Sequence, residues 1–495
     1  MQALHTPQEA ARWLESRVTG SLHCDSRKVG EGDGFIAWPG AATDGRRHVH
    51  AALAQGAAAC VVEGEGVQAF GLDGEAVATY AGLKAATGPI ASAFYGDPSG
   101  NLDVLAITGT NGKTSTAWWM SQALSNLERP SAMPCGLVGT LGIGIPPVLE
   151  YNGLTTPDPV LLQHHLRRFA DAGVRACAIE ASSVGIAERR LDGTRIRLAL
   201  FTNFSQDHLD YHGTMDAYWS AKAELFDWPG LQAAVINVDD ARGAALAKSL
   251  EGGRTAIWTF ACTTPARLQA TDIDHDDAGL AFTVTEGTQS HAVRTQLVGQ
   301  YNVYNLLGVL AAMRALDIPL VQAVGAIAHL LPVPGRMERI SLEGAPLVAV
   351  DYAHTPDALD QALQALRPLA VRRGGRLWCV FGCGGDRDAT KRPLMAAVAQ
   401  RRADQVVLTS DNPRSERPEV ILSQMLLGLS DPASVTVEVD RARAIAQAVA
   451  EAGPNDVVLV AGKGHEAYQE VAGLRLPFSD QEHARAALQA RRQPA

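Results

Sequence analysis

No two of the seven cysteines stand in a CxxC pair, and no basic block relieves a formal net charge of −10. The cysteines lie at 24, 60, 135, 177, 262, 379 and 383. An odd number without a framework spacing excludes a disulfide scaffold and reads as buried, reduced thiols. The acidic balance excludes a general nucleic-acid binder. It leaves room for small anions, because a helix N-terminus and a few local cations suffice to hold phosphate. The N-terminus, Met-Gln-Ala-Leu-His-Thr-Pro, lacks a basic region followed by an apolar core, so no signal peptide is expected. A long uncharged run, residues 130–149, is interrupted by Pro134, Pro146, Pro147 and glycines. It therefore fails as the continuous helix a bilayer requires. Internal repeats and low-complexity tracts are also missing. The expectation is a soluble, cytoplasmic protein without nucleic-acid partners or a membrane span.

What is present is an ordinary globular composition, 46% hydrophobic and 19% charged, spread over 495 residues. That length is too great for one core and suggests about three. Punctuation divides it. A helical stretch at 81–95 ends in the turn-rich Gly96-Asp97-Pro98-Ser99-Gly100, an apolar strand at 104–108 opens a second block, and Pro332-Val333-Pro334-Gly335 closes that block. The expected domains are 1–88, 89–334 and 335–495. Short apolar runs at 347–350, 377–381, 406–408 and 457–460 alternate with helical patterns, which predicts α/β units with parallel sheets covered on both faces. Ligands of such sheets gather beyond the carboxyl ends of the strands. Glu180, Asn203, residues 205–208, Asp351, and the segments 382–388, 411–414 and 462–466 all follow predicted strands.

One strand exit carries a phosphate loop, Gly109-Thr110-Asn111-Gly112-Lys113-Thr114, with Ser115 next. Glycines let successive backbone N–H groups converge on phosphate oxygens, and the helix that follows adds its positive dipole end. Lys113 is expected on the β- and γ-phosphates of ATP, and the Thr114 hydroxyl on Mg²⁺. The loop is a shortened GxxGKT, since Ile107 stands where the longer pattern has its first glycine. Trp118, Met120, Ala123, Leu124 and Leu127 predict one apolar face on the helix.

Phosphoryl transfer also needs its charge neutralised. Glu180, ending a strand, is the natural acid for the metal shell. His208 reads equally as a metal ligand or as a loop residue. Asp210 and His212 read as turn or packing groups. Lys222, in the helical Tyr218–Phe226 stretch, reads from spacing alone as a solvated face.

At this point TGTNGKT, FTNFSQDHLDYHG with YWSAK, LVGQYNVYN, PVPGRME, DYAHTPDAL, VFGCGGDRDATKRP, SDNPRSERP and AGKGHEAYQ, taken in order, resemble the Mur ligases over nearly the whole chain. The resemblance implies an ATP-dependent ligase of peptidoglycan precursor synthesis. Its central P-loop ATPase-like sheet would be flanked by an N-terminal α/β domain for the UDP substrate and a C-terminal Rossmann-like domain for an amino acid. It implies that Lys222 is carbamylated and helps hold a second Mg²⁺ with His208 as its partner ligand, beside the ion met by Thr114 and Glu180, an oxygen donor being what Mg²⁺ prefers. It adds Asn302 and Asn305 near the adenine and Arg336 to the nucleotide site, with Asp351 and His354 assigned to nucleotide contact or closure. For UDP-MurNAc-L-Ala-D-Glu it implies Ser26, Thr155, Thr156, Ser182, Glu188 and Arg190. Several positions depart from the family pattern. Glu188 replaces a common Gln, Val184 interrupts a Ser-Ser-His-Gly pattern, Leu154 stands where Asn is frequent, and Ala41-Ala42-Thr43 replaces a more polar tip.

The incoming amino acid is read from Asp411-Asn412-Pro413-Arg414. Meso-diaminopimelate carries a distal carboxylate that lysine lacks, and an Arg grips a carboxylate through paired hydrogen bonds. Family members with this motif resemble diaminopimelate adders, with Arg387, Gly462 and Glu466 completing the pocket. A monomer is expected. The rival readings are another member of the superfamily, such as a folylpolyglutamate synthase, and an ATP-hydrolysing regulator or motor.

Overall fold

Apolar runs between glycine- and proline-marked turns become the strands of three separate sheets. The computed structural model describes residues 1–40, 43–128, 131–276 and 279–491, so Ala41 and Ala42 lie outside the described residues.

The first sheet is parallel, in the order Gln2–Leu4, Val77–Tyr80, Ala59–Glu63, Gly34–Ala37, Leu22–His23. Helices Pro7–Glu15 and Leu83–Phe94 bury Trp13, Leu14, Ile90 and Ala91 against Ile36 and Val61. Each large apolar side chain so buried contributes roughly 1.5–3 kcal/mol. Thr6 caps the first helix and Pro7 fits its first turn, where no N–H partner is needed. Residue 88, the expected domain limit, falls inside the second helix.

The central sheet has eleven strands. Its middle strands, from Leu268–Asp276 through Ala256–Ala261, Ala233–Asn237, Leu198–Phe201, Asp103–Thr108 and Ala176–Glu180 to Cys135–Gly139, run parallel. Antiparallel hairpins extend both edges, so the sheet is mixed rather than purely parallel. Gly279–Glu286 alternates buried and half-buried residues, as a strand with one open face does. The uncharged 130–149 run supplies part of one hairpin. No helix among the described residues is long and apolar enough to cross a membrane.

The helix after the phosphate loop, Lys113–Ser125, departs from the one-faced expectation. Thr114, Ser115, Thr116 and Ser121 are buried along with Trp118, Trp119, Met120 and Leu124. It is sandwiched between the sheet and the helices Tyr301–Ala315 and Leu320–Ile327, and two-sided packing erases the amphipathic period.

The third sheet runs Glu338–Ile340, Leu347–Asp351, Val457–Ala461, Leu377–Phe381, Gln405–Leu408, Val435–Val437, parallel except at its first edge. Apolar clusters fill both faces. A ribbon of Tyr468–Val471 and Leu474–Pro477 stands beside it. The strand exits of the central and third sheets open on one cleft of about 1200 Å³.

Candidate active site

The phosphate loop is clamped from the strand exit beside it. The Thr110 N–H donates to Asn203 O (2.8 Å), the Asn111 N–H to Asn203 Oδ1 (2.9 Å), and Thr202 Oγ1 to Asn111 O (2.6 Å). Gly109 and Gly112 have positive φ, and a Cβ on them would sit 1.9 Å from Thr202 Oγ1 and 2.4 Å from Asn305 Oδ1. Only glycine permits so close an approach. Asn305 therefore packs against the loop itself, and its Nδ2 donates to Asn302 Oδ1 (2.9 Å). Lys113 Nζ donates to the carbonyls of Gly109 and Thr110 (both 2.8 Å). Burial pulls this amine below the ordinary lysine range, against the opposing pull of Glu180 and Asp207.

Glu180 ends its strand almost wholly buried. Its carboxylate accepts from Thr114 Oγ1 (2.9 Å), the Thr140 N–H (2.8 Å) and Thr140 Oγ1 (3.2 Å). Among the described residues no Lys, Arg or His forms an ion pair with it, and no set of three or more His, Cys, Asp or Glu converges as a metal cluster. A buried carboxylate met only by neutral donors beside a threonine hydroxyl is a hard-oxygen corner that suits Mg²⁺ completed by phosphate oxygens. Thr140 follows the strand Cys135–Gly139; the strand-exit rule applied to that run would have found it.

Lys222 overturns its solvated-face reading: it is 1% exposed. Its Nζ donates to Gly109 O (2.7 Å) and lies 4.4 Å from the Tyr218 ring centre. Burial, reinforced by Lys113, drives its pKa well below that of a free lysine. A helix facing the loop with its polar side, not solvent with its charge, is what spacing could not reveal. His208 sits in the left-handed region (φ 54°) above the Tyr218 ring, and burial lowers its pKa to about 4. The ring is thus neutral at pH 7, as a metal ligand must be.

Asp207 was not singled out from sequence, yet it centres the cleft. It lies 3.5 Å from His208 Nε2, 3.6 Å from Lys391 Nζ and 3.9 Å from His354 Nε2. Burial alone would raise its pKa, but the His208 and His354 rings, the Lys391 ammonium and the His208 N–H outweigh it and hold the carboxyl well below its usual range. Arg336 reaches across to Thr114 Oγ1 (3.2 Å), and its Nη1 is a buried donor without a partner among the described residues. Asp351 turns instead to backbone, accepting from the Met337 and Ala353 N–H groups.

The third sheet supplies Arg387, Asp411, Asn412, Arg414, Gly462 and Glu466 to the cleft wall; Pro413 turns the loop without lining it. Arg414 (φ 53°) donates to Gly385 O (2.6 Å) and lies 4.0 Å from Glu470. The expected UDP-substrate residues separate. Thr155 and Ser182 line the cleft, whereas Ser26, Thr156, Glu188 and Arg190 lie outside its lining. Thr156 Oγ1 ties Glu180 O to Ser182 Oγ, and Arg190 Nη1 donates to Thr156 O (3.0 Å). Glu188 is engaged by Lys84 Nζ (2.7 Å) and by the Tyr211 hydroxyl.

Comparison with known proteins adds three family matches: "Mur ligase family, catalytic domain" over residues 20–95, "Mur ligase middle domain" over 107–313, and "Mur ligase, glutamate ligase domain" over 335–464. A UDP-N-acetylmuramoyl-L-alanyl-D-glutamate--2,6-diaminopimelate ligase from Acidovorax sp. (strain JS42) is 65% identical, with 99% of each chain covered. A solved structure of a ligase bearing the same description is 37% identical, with a TM-score of 0.65 over 96% of this chain and 95% of the other. MurF ligase from Thermotoga maritima, solved with ADP, shares the fold at 18% identity, with a TM-score of 0.67 over 97% and 99% of the two chains.

Proposed function

The chain belongs to the Mur ligase family, and from that premise we propose that it joins meso-diaminopimelate to UDP-MurNAc-L-Ala-D-Glu in the cytoplasm, as a monomer, at the expense of ATP. The observation that carries this reading is one cleft in which Lys113 and Thr114 face Arg387, Asn412, Arg414 and Glu466. Phosphate-binding and carboxylate-gripping groups in one space suit an activated carboxylate meeting an amine.

Three functional units follow the three sheets. We place the end of the nucleotide-sugar unit after the helix Leu83–Phe94 rather than at 88, because a helix is one cooperative element. The ATP unit then runs to 334 and the amino-acid unit from 335.

The N–H groups of the phosphate loop and the Lys113 ammonium hold the triphosphate, and Arg336 supplies a further donor through its unpartnered Nη1. Thr114 and Glu180 would hold one Mg²⁺, and His208 with Lys222, once carbamylated, would hold a second. When bound, these ions supply positive charge against phosphate oxygens. Lys222 suits carbamylation because its buried amine is neutral enough to attack CO₂, forming the N–C bond and releasing a proton. The D-Glu γ-carboxylate takes the γ-phosphoryl group, giving ADP and an acyl phosphate. The amine of diaminopimelate then attacks that carbonyl and phosphate departs. Holding both partners in one cleft supplies proximity and keeps water from the acyl phosphate.

The test weighs the product formed from ATP, Mg²⁺ and UDP-MurNAc-L-Ala-D-Glu with either meso-diaminopimelate or lysine. A product heavier by diaminopimelate less water, formed with release of ADP, is expected. Arg414→Ala is expected to lower kcat/KM for diaminopimelate by roughly 10²-fold or more, since a charge-assisted contact is removed. Equal use of lysine, or no ligation, would remove this function.

A further inference from the structure

The wall that carries Glu466 contains a cation to which none of the roles above gives work. Lys463 lies between Gly462 and Gly464, and its side chain is wholly buried. Its Nζ donates to Asn412 Oδ1 (2.9 Å) and to Glu466 Oε2 (2.9 Å). Asn412 Oδ1 also accepts the Glu470 N–H (2.9 Å), which decides the orientation of the amide. Two donors hold its oxygen, so its nitrogen must face the other way, and Nδ2 donates to Glu466 Oε2 (2.8 Å).

The consequence falls on Glu466. Lys463 and Asn412 together occupy Oε2, and no hydrogen bond among the described residues uses Oε1. Both Asn412 and Glu466 line the cleft. We propose that Lys463 is a positioning residue of the amino-acid pocket: it fixes the Asn412 amide and leaves Glu466 one free carboxylate oxygen for the ammonium of an incoming α-amino acid. This rests on the reading of that pocket given above. Without Lys463, Asn412 loses one of the donors that sets its flip, and the Glu466 carboxylate is held by the Asn412 Nδ2 contact alone.

Lys463→Met tests this. Asn412 Oδ1 keeps the Glu470 N–H and Glu466 Oε2 keeps Asn412 Nδ2, so neither buried acceptor is orphaned. The variant does leave the Glu466 carboxylate without its cation, at a cost in stability, so Tm is measured beside the kinetics. KM for meso-diaminopimelate is expected to rise roughly tenfold or more, with KM for ATP unchanged, because the lost bond is charge-assisted. Lys463→Gln, which retains a donor, is expected to restore part of that loss. If Lys463→Met fails to fold, Lys463→Gln is read against wild type in the same way. An unchanged KM for the amino acid, or an equal rise in KM for both substrates together with a lowered Tm, would overturn the proposal. The underlying reading is judged separately on the wild-type protein: ADP release that ignores added amino acid would defeat that reading, not the role of Lys463 alone.

Discussion

A lysine amine with 1% exposure beside a second lysine sheds its proton readily, and Lys222 is in that position. Its Nζ donates to a neutral carbonyl, Gly109 O, and among the described residues it forms no ion pair with a carboxylate, though Asp207 opposes the loss of its proton from a distance. Wild-type ligation is therefore expected to fall when CO₂ is stripped from the buffer and to return with bicarbonate. Lys222→Ala is expected to lose activity that bicarbonate cannot restore; normal turnover in that variant would dismiss the carbamate. Spacing alone hid this residue, because the helix Met215–Ala223 alternates apolar and polar residues without a clear stripe. Resemblance found it, and burial supplies the physical reason. Lys463, Lys391 and Asp207 show the converse. Each sits inside a motif quoted from the sequence, but single-residue reasoning passes over a lysine or aspartate unless a partner is visible, and the contacts of Asp207 with Lys391 and of Lys463 with Asn412 join residues distant in the chain. Glu188 marks a chain-specific departure: where a neutral Gln is common, an anion here binds Lys84 of the first unit.

At the scale of elements, the strand exits line the cleft, as the parallel-sheet rule expects. What supports those exits from behind was not legible. Arg441 and Asp480 form a pair with no exposed side-chain surface, and Arg441 also donates to Ser410 O (3.1 Å) and Ala461 O (2.9 Å). Those carbonyls immediately precede Asp411 and Gly462, so one guanidinium fixes two loops of the cleft wall. Another turn bears a cost. Asp192, between the helix Ser183–Ala187 and the strand Leu198–Phe201, has its pKa pushed up to about 6 by burial. A carboxyl raised in the folded state binds its proton more tightly there than when unfolded. Its penalty is therefore absent below about pH 4 and complete above about pH 6. Asp192→Asn is expected to stabilise the protein at pH 7.5 by about 1 kcal/mol, discounted for partial exposure, with the gain vanishing near pH 4. Denaturant titrations at the two pH values check this. A gain equal at both would remove the burial argument.

The three units are joined in different ways, and the difference bears on motion across the whole molecule. Val160, from the central unit, is buried within the first sheet's apolar cluster, which fixes those two units by packing. Tyr301 of the central unit packs on the edge of the third sheet's apolar cluster, but the other contacts of the third unit with the phosphate-loop side are largely polar: Asn111 Nδ2 to Asp357 (3.1 Å), Gln206 Nε2 to Thr390 Oγ1 (3.1 Å), Lys391 to Asp207 (3.6 Å) and Arg387 to Asp210 (3.7 Å). Water replaces such contacts at small net cost, whereas separating an apolar core costs roughly 25 cal/mol per Å² exposed. Relative movement is therefore expected of the third unit, with the first two moving as one body. Three blocks were readable from glycine and proline punctuation. The hinge was not, because it depends on which side chains meet after folding. A nonhydrolysable ATP analogue added with Mg²⁺ and UDP-MurNAc-L-Ala-D-Glu is expected to lower the radius of gyration measured by X-ray scattering, since ligand contacts to both walls favour a narrower cleft. Either ligand alone is expected to do less. Identical scattering with and without both ligands would mean that the walls are already fixed, and that the amine reaches the acyl phosphate without closure.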